Sequence, residues 1–334
     1  MLLDGTAPGV IEQAAQQLAR GELLAFPTET VYGLGARADS DEAVAKIFTA
    51  KGRPTDHPLI VHVVDATAAL AFTPHVPETA QKLMAAHWPG PLTLVLARRP
   101  EVGTAAAGGQ DSIGLRCPAH PQAQALLRAA LALGVHGVAA PSANRFGRIS
   151  PTTAAHVASE FEPGLWVLDG GPCEVGIEST IVDCRPRQAV LLRPGQISRV
   201  QLEALLGEPL GVRDALSPRV SGNLASHYAP QAPLRLMTAP MIGQALAVLF
   251  GESGPAATPA PLKLAVYSRV PPRRSAPGLL VHRMPDAPDA AAHELFSVLR
   301  SFDEQGAKLI WVEEPPDTPE WEGVRDRLLR AAAI

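Results

Sequence analysis

At 334 residues the chain is longer than one ordinary hydrophobic core supports, and it calls for two domains. Hydrophobic residues make up 46% and charged residues 19%, a composition that buries a core and excludes a disordered chain. Aromatic residues are only 4% and the formal net charge is −4. These values argue against an aromatic platform for single-stranded nucleic acid and against a basic grip on a phosphate backbone, so no strong direct nucleic-acid binding is expected.

From Pro8 to Arg20 the pattern reads as an amphipathic helix. No basic segment followed by an apolar one precedes it, and no apolar run approaches the roughly 20 residues of a membrane span. Cys117, Cys173 and Cys184 form no CxxC pair and leave one cysteine over, which is neither a disulfide framework nor a zinc signature. The expectation is a cytoplasmic protein that makes no use of a membrane.

Between Glu22 and about Arg199 short apolar runs alternate with helical stretches. Strands are expected at 22–26, 59–63, 92–97, 112–116, 137–141, 165–169, 180–184 and 189–193, and helices at 40–50, 77–86, 121–133 and 152–161. The fold class is α/β, a mixed sheet with helices on its faces over residues 1–206. Residues 207–233 are rich in Pro, Gly, Ser and Arg and read as an interdomain linker. A smaller C-terminal α/β domain follows over 234–334. Its strands are expected at 262–267, 279–283 and 308–313, its helices near 240–250, 289–305 and 320–333, with a flexible loop from Gly251 to Pro261.

Five stretches could carry chemistry. PTETVYGLGARA (27–38) sets Thr28, Glu29 and Thr30 before a Gly-spaced turn, where a small polar ligand or a capped turn fits equally. KGRPTDHPLIVHV (51–63) offers Lys51 and Arg53 as a polyphosphate clamp, although cations at a helix C-terminus also complement its dipole. His57 and His62 lack the spacing of a metal pair. APSANRFGRISPT (140–152) places Ser142, Asn144 and Ser150 in a loop suited to phosphate or ribose oxygens or to helix capping. GGPCEVGIESTIVD (170–183) is a ligand-approach loop or a β-bulge, and LLRPG (191–195) holds Arg193 as a phosphate ligand or a surface charge.

Each stretch alone is weak, but their order is specific. PTETVYGLGA, KxRP, HPLIVHV, WPGPLTLVL, GLRCP, PSAN, GIESTIVD and RPG follow one another over residues 20–200, and the chain resembles the threonylcarbamoyl-AMP synthase family, the YrdC-like fold. SGNLASHYAP (221–230) resembles the linker of the longer, two-domain members. The resemblance implies formation of threonylcarbamoyl-AMP and pyrophosphate from L-threonine, bicarbonate and ATP, with Mg2+ accompanying the nucleotide. The product would pass to a tRNA threonylcarbamoyl transferase. It implies a catalytic quartet of Lys51, Arg53, Ser142 and Asn144, matching the family's K-x-R…S-x-N signature. Thr30, His62, Arg116 and Ser179 are expected to hold threonine. His57, Ser112, Ala140 (through its backbone), Ser150 and Arg193 join the quartet around the nucleotide, and Tyr228 is expected to close over it from the linker. No protein-held metal is expected. A carbamoyl-transfer enzyme or an RNA-binding protein on the same fold is the alternative. The first lacks here the cysteine array of its family, and the second conflicts with the negative charge.

Overall fold

The alternating runs assemble into a ten-stranded mixed sheet. The computed structural model describes residues 1–215, 217–222, 227–250, 263–270, 272 and 276–333. They fall into two units, Met1–Phe146 with Ser150–Asn223, and Gly147–Ile149 with Leu224–Ile334.

In the first unit the strands are β1 (Leu2–Asp4), β2 (Leu24–Phe26), β3 (Gly33–Arg37), β4 (Ile60–His62), β5 (Leu92–Ala97), β6 (Ser112–Arg116), β7 (Val138–Ala139), β8 (Trp166–Asp169), β9 (Thr180–Asp183) and β10 (Val190–Arg193). Their order across the sheet is β1-β8-β2-β3-β7-β4-β6-β5-β9-β10. Parallel pairs (β4 with β6, β5 with β9) alternate with antiparallel ones (β5 with β6, β9 with β10). The helices are α1 (Val10–Ala19), α2 (Asp41–Lys51), α3 (Ala66–Ala69), α4 (Glu78–His87), α5 (Pro121–Ala132), α6 (Ala154–Ala158) and α7 (Arg199–Leu206).

Local chemistry sets their ends. Ser40 caps α2 by accepting from Ala43 N, Asp41 and Glu42 complement the positive end of the dipole, and Gly52 stops the helix at φ 63°. Lys51 is therefore the last helical residue, with Arg53 just beyond the turn. A capping box of Ser198 and Gln201 starts α7. Leu18, Phe26, Leu34, Ile47, Val61, Phe72, Leu94 and Leu115 are fully enclosed in the core between helices and sheet.

Of the expected strands, β5 and β6 fall on the expected residues and the others within two residues at either end. Four elements of this unit, β1, β3, α3 and α7, were not anticipated. β3 was read as a Gly-spaced turn, but Gly35 packs so closely that a Cβ there would stand 2.8 Å from the Phe26 ring and 2.9 Å from Val138. The glycines permit the strand instead of ending it. The short β1 and α7 also form, and the helix expected over 152–161 is only Ala154–Ala158 because Thr153 caps it late.

In the second unit β11 (Leu234–Met237), β12 (Leu264–Ser268), β13 (Leu279–Arg283) and β14 (Leu309–Glu313) form a wholly parallel sheet in the order β11-β14-β12-β13. The helices α8 (Ala239–Phe250), α9 (Pro288–Glu304) and α10 (Glu322–Ala332) accompany it, as parallel strands require. β11 was not anticipated. At the carboxyl end of the sheet the buried Glu313 accepts from Ser268 Oγ at 2.6 Å and Arg269 N at 2.8 Å. The expected flexible loop Gly251–Pro261 and residues 223–226 of SGNLASHYAP lie outside the described residues. The mixed α/β sheet with a second, smaller α/β unit is the fold expected from the sequence. No described helix is long and apolar enough to cross a membrane.

Gly195 couples RPG to the start of β9: a Cβ there would lie 2.5 Å from Thr180 N and 2.9 Å from Glu178 O. Backbone cannot swing aside as a side chain can. Gly195→Ala is expected to destabilise the fold by about 1–3 kcal/mol, read as a lowered denaturant midpoint. An unchanged midpoint would show that this packing is loose.

Candidate functional site

Three adjacent strands put one row of polar side chains on a common face. His62 on β4 is in register with Arg116 on β6, and Thr93 on β5 is in register with Arg116 on its other side. All three are buried. A guanidinium taken out of water must find partners, and Arg116 finds them in loops from distant parts of the chain. Its Nε donates to Gly90 O at 3.3 Å, its NH1 donates to Thr30 Oγ1 at 2.8 Å, and its NH2 stands 2.7 Å from Glu29 Oε1. Thr28 Oγ1 backs Thr30 Oγ1 at 2.9 Å. Thr93 Oγ1 is 2.7 Å from Ser179 Oγ, which also accepts from Arg193 NH2 at 3.2 Å. The structure thus gathers Thr30, His62, Arg116 and Ser179 along this row. Burial and the neighbouring Arg116 charge push the His62 pKa down to about 3, with the carbonyls of Val138 and Ile60 opposing the shift, so its imidazole is neutral.

A second group gathers at the end of α2. Lys51 Nζ donates to Ser142 O at 2.6 Å and to Asn144 O, stitching the helix to the PSAN turn. Burial and the Arg53 charge hold its pKa well below the ordinary lysine value, against the pull of Glu160 and Glu178. Asn144 Nδ2 donates to Arg145 O at 2.7 Å. The Arg53 guanidinium lies 5.6 Å from the centre of the Phe146 ring, which the His57 ring meets at 5.5 Å. The His57 pKa is lowered by burial and by Arg53. Ser150 Oγ donates to the buried carboxylate of Glu178. Ala140 N–H donates to Ile60 O at 2.9 Å.

Residues 219–221 strap across this region. Arg219 pairs with Asp56 at 2.8 Å and exchanges two hydrogen bonds with Gln110. Ser221 Oγ accepts from Arg53 NH2 at 3.1 Å and donates to Pro58 O at 2.8 Å, while Ser221 O accepts from Arg193 NH1 at 2.9 Å. Beneath the strap, Thr93, Ser112, Gly114 and Ile181 line a cavity of about 20 Å³, enough for roughly one water. Tyr228 belongs to the second unit. There it is buried at φ 62°, stacked on Phe296 with centroids 5.5 Å apart and covered by Arg327.

The sequence reading missed Glu29, Thr93, Glu178 and Ser221 as parts of the site. A carboxylate between two threonines in PTET was the one available signal, because a buried arginine in GLRCP needs a counter-charge. Burial raises the pKa of all three cysteines, that of Cys117 to about 11, so they remain protonated and poor nucleophiles. Among the described residues no group of three or more His, Cys, Asp or Glu side chains could hold a metal ion. The arrangement presents fixed hydroxyls and guanidinium donors at strand ends, groups able to bind and orient charged ligands.

A family model for Sua5, YciO and YrdC proteins, described as "Telomere recombination", matches residues 16–195, and one described as "Threonylcarbamoyl-AMP synthase, C-terminal domain" matches 197–333. The threonylcarbamoyl-AMP synthase of Bacillus subtilis (strain 168) is 40% identical over 332 residues, 96% of this chain and 92% of that protein. The chain belongs to the threonylcarbamoyl-AMP synthase family. The threonylcarbamoyl-AMP synthase of Pyrococcus abyssi is 35% identical over 96% of this chain and 94% of its own. The crystal structure of P. abyssi Sua5 complexed with L-threonine superposes with a TM-score of 0.84 at 34% identity, covering 96% of this chain and 94% of that one. The family resemblance read from the ordered motifs therefore holds over both units.

A histidine kept neutral by burial makes this threonylcarbamoyl-AMP synthase family member sensitive to acid. Between about pH 6.5 and 3 the unfolded chain binds the His62 proton and the folded chain does not. Stability from this group is fully present above 6.5 and is lost as pH falls through the window. His62→Gln removes the term, so its melting temperature is expected to fall less than that of the unmodified chain between about pH 6.5 and 4.5. Equal slopes would show that His62 does not titrate on unfolding.

Proposed function

We infer that this chain makes threonylcarbamoyl-AMP and pyrophosphate from L-threonine, bicarbonate and ATP, for threonylcarbamoyladenosine modification of tRNA. The observation that carries the reading is the buried row of Thr30, His62, Arg116 and Ser179, a set of donors and acceptors on the scale of one hydroxy amino acid. The P. abyssi relative solved with L-threonine supports the same substrate.

The chemistry has two steps. Threonine's amine attacks the carbon of bicarbonate, giving a carbamate with loss of water. A carbamate oxygen then attacks the α-phosphorus of ATP, forming the mixed anhydride as the bond to pyrophosphate breaks. Because the substrate supplies the nucleophile, the protein needs no activated serine or cysteine. Its task is orientation and charge stabilisation.

Arg116 offers its remaining N–H groups to the threonine carboxylate, with Thr30, His62 and Ser179 around the rest of the amino acid. Arg53 and Arg193, which hold Ser221 here, exchange it for nucleotide oxygens. Lys51 adds positive charge and fixes the Ser142–Asn144 turn, so the quartet of Lys51, Arg53, Ser142 and Asn144 acts as one unit. His57, Ser112, Ala140 and Ser150 line the nucleotide. Among the described residues no group of three or more His, Cys, Asp or Glu could hold a metal ion, and Mg2+ would arrive on the phosphates of ATP. Bound there, it would neutralise charge on the departing pyrophosphate. The reaction belongs in the cytoplasm, away from membranes, with the product handed to a tRNA threonylcarbamoyl transferase.

Incubation with ATP, bicarbonate and L-threonine is expected to release pyrophosphate only when threonine is present, and threonine-independent or absent release would refute the reading. Arg53→Ala should lower kcat/KM by roughly ten- to a hundredfold, the loss of one charge-assisted contact of about 1.5–3 kcal/mol. Arg116→Lys keeps the charge but loses the planar fork. Calorimetry is expected to show threonine affinity falling more than ATP affinity, and equal losses would remove Arg116 from the amino-acid pocket.

A further inference from the structure

Arg116 carries five N–H groups. The structure commits Nε to Gly90 O and one N–H of NH1 to Thr30 Oγ1. The third internal contact is different in kind. NH2 stands 2.7 Å from Glu29 Oε1, yet neither of its N–H bonds points along that contact, and both atoms are buried without a hydrogen-bond partner. The pair is matched in charge and unsatisfied in hydrogen bonding.

Glu29 cannot turn away to relieve this. Its other oxygen, Oε2, accepts from Ala119 N at 3.0 Å, and its main-chain carbonyl accepts from Val175 N at 2.7 Å. Its side chain is only 7% exposed, and that of Arg116 is 3% exposed. Buried polar groups in folded proteins almost always find partners, and an unsatisfied pair held rigidly in a site is a place for a ligand to supply them. A ligand that satisfies both must present an acceptor to NH2 and, immediately beside it, a donor to Oε1. An α-amino acid does so, with carboxylate and ammonium on one carbon.

We propose that Glu29 is a substrate-binding residue that reads the α-ammonium group of the amino acid, side by side with Arg116 reading its carboxylate. The proposal rests on the reading of this row as the threonine pocket and adds to it a contact that the ordered motifs did not assign. His62 Nδ1 is a third buried atom without a partner, on the strand in register with Arg116. It is of the right kind for the one polar group of threonine left over, the hydroxyl. In this arrangement Glu29 holds the nitrogen beside the carboxylate that Arg116 binds.

The alternative is that Glu29 is only the counter-charge that lets Arg116 be buried. Binding of two ligands separates these roles: L-threonine, and the 2,3-dihydroxybutanoate of the same stereochemistry, which keeps the carboxylate and side-chain hydroxyl and replaces the ammonium by a hydroxyl. Calorimetry on the full chain is expected to show threonine binding roughly ten- to a hundredfold tighter than the analogue, the range of a charge-assisted contact. In Glu29→Gln that preference should shrink to about threefold or less, chiefly through weaker threonine binding. A preference undiminished in Glu29→Gln, or equal loss of both ligands, would overturn the proposal and leave Glu29 as a counter-charge. If Glu29→Gln does not melt cooperatively, Glu29→Asp keeps the charge and withdraws it by one methylene, and the same selective loss of threonine is expected. Wild-type protein that binds both ligands alike overturns this proposal alone. Wild-type protein that binds neither defeats the threonine-pocket reading itself, and this proposal with it.

Discussion

The site depends on burying one guanidinium. Arg116 ends a central strand, and hydration is replaced there by Gly90 O, Thr30 Oγ1 and the carboxylate of Glu29. Moving a charge from water to a protein interior is expensive, and the expense is offset only where partners are fixed in place. That requirement couples stretches far apart in the chain. PTET supplies Glu29 and Thr30, the loop before β5 supplies Gly90, the residues after β6 anchor Glu29 through Ala119 N, and the segment leading to GIEST holds Glu29 through Val175 N. Removing Glu29 or Arg116 leaves an unpaired charge inside the sheet, and removing Thr30 Oγ1 leaves a guanidinium N–H without its acceptor, so these stretches are coupled.

The cations at the other group are held differently. Lys51 bonds two main-chain carbonyls, Arg53 bonds Pro58 O and Ser221 Oγ, and Arg193 bonds Ser179 O and Ser221 O. An ionised phosphate oxygen forms a shorter and stronger bond to such donors than a neutral oxygen does. The first group pairs its guanidinium with a carboxylate and suits a zwitterion, whereas the second gathers three basic side chains and suits a polyanion.

Much of this was legible from residue order. β5 and β6 were placed to the residue because LTLVLA and SIGLR are apolar runs bounded by turn residues, and the motif sequence located both polar groups. What was lost has physical causes. Gly33 and Gly35 depress strand propensity, and only the approach of Phe26 shows why a strand needs them. β1 has three residues and is a strand only because β8 lies beside it. Glu29 stands among threonines in a stretch that reads as a turn, and its pairing with Arg116 spans 87 positions of sequence that periodicity cannot bridge. Arg53 and Arg193 were placed near phosphates, but nothing in their local sequence indicates that both hold Ser221.

That shared serine has a consequence for the reaction. A cavity of about 20 Å³ beneath residues 219–221 admits a water and excludes a nucleotide. On the proposed chemistry the strap must therefore lift before the nucleotide can occupy this space, and its fastenings decide how readily. The Arg219–Asp56 pair is more than half exposed on both sides, and such pairs contribute little, about 0–1 kcal/mol. The stronger fastenings are the bonds from Arg53 and Arg193 to Ser221, made by the two cations assigned to the nucleotide. Phosphate oxygens and Ser221 thus compete for the same donors. On the proposed chemistry, arrival of ATP would release the strap without any separate trigger, and departure of pyrophosphate and product would restore it. On this reading the opening and closing of the segment is tied to the charge of the site it covers.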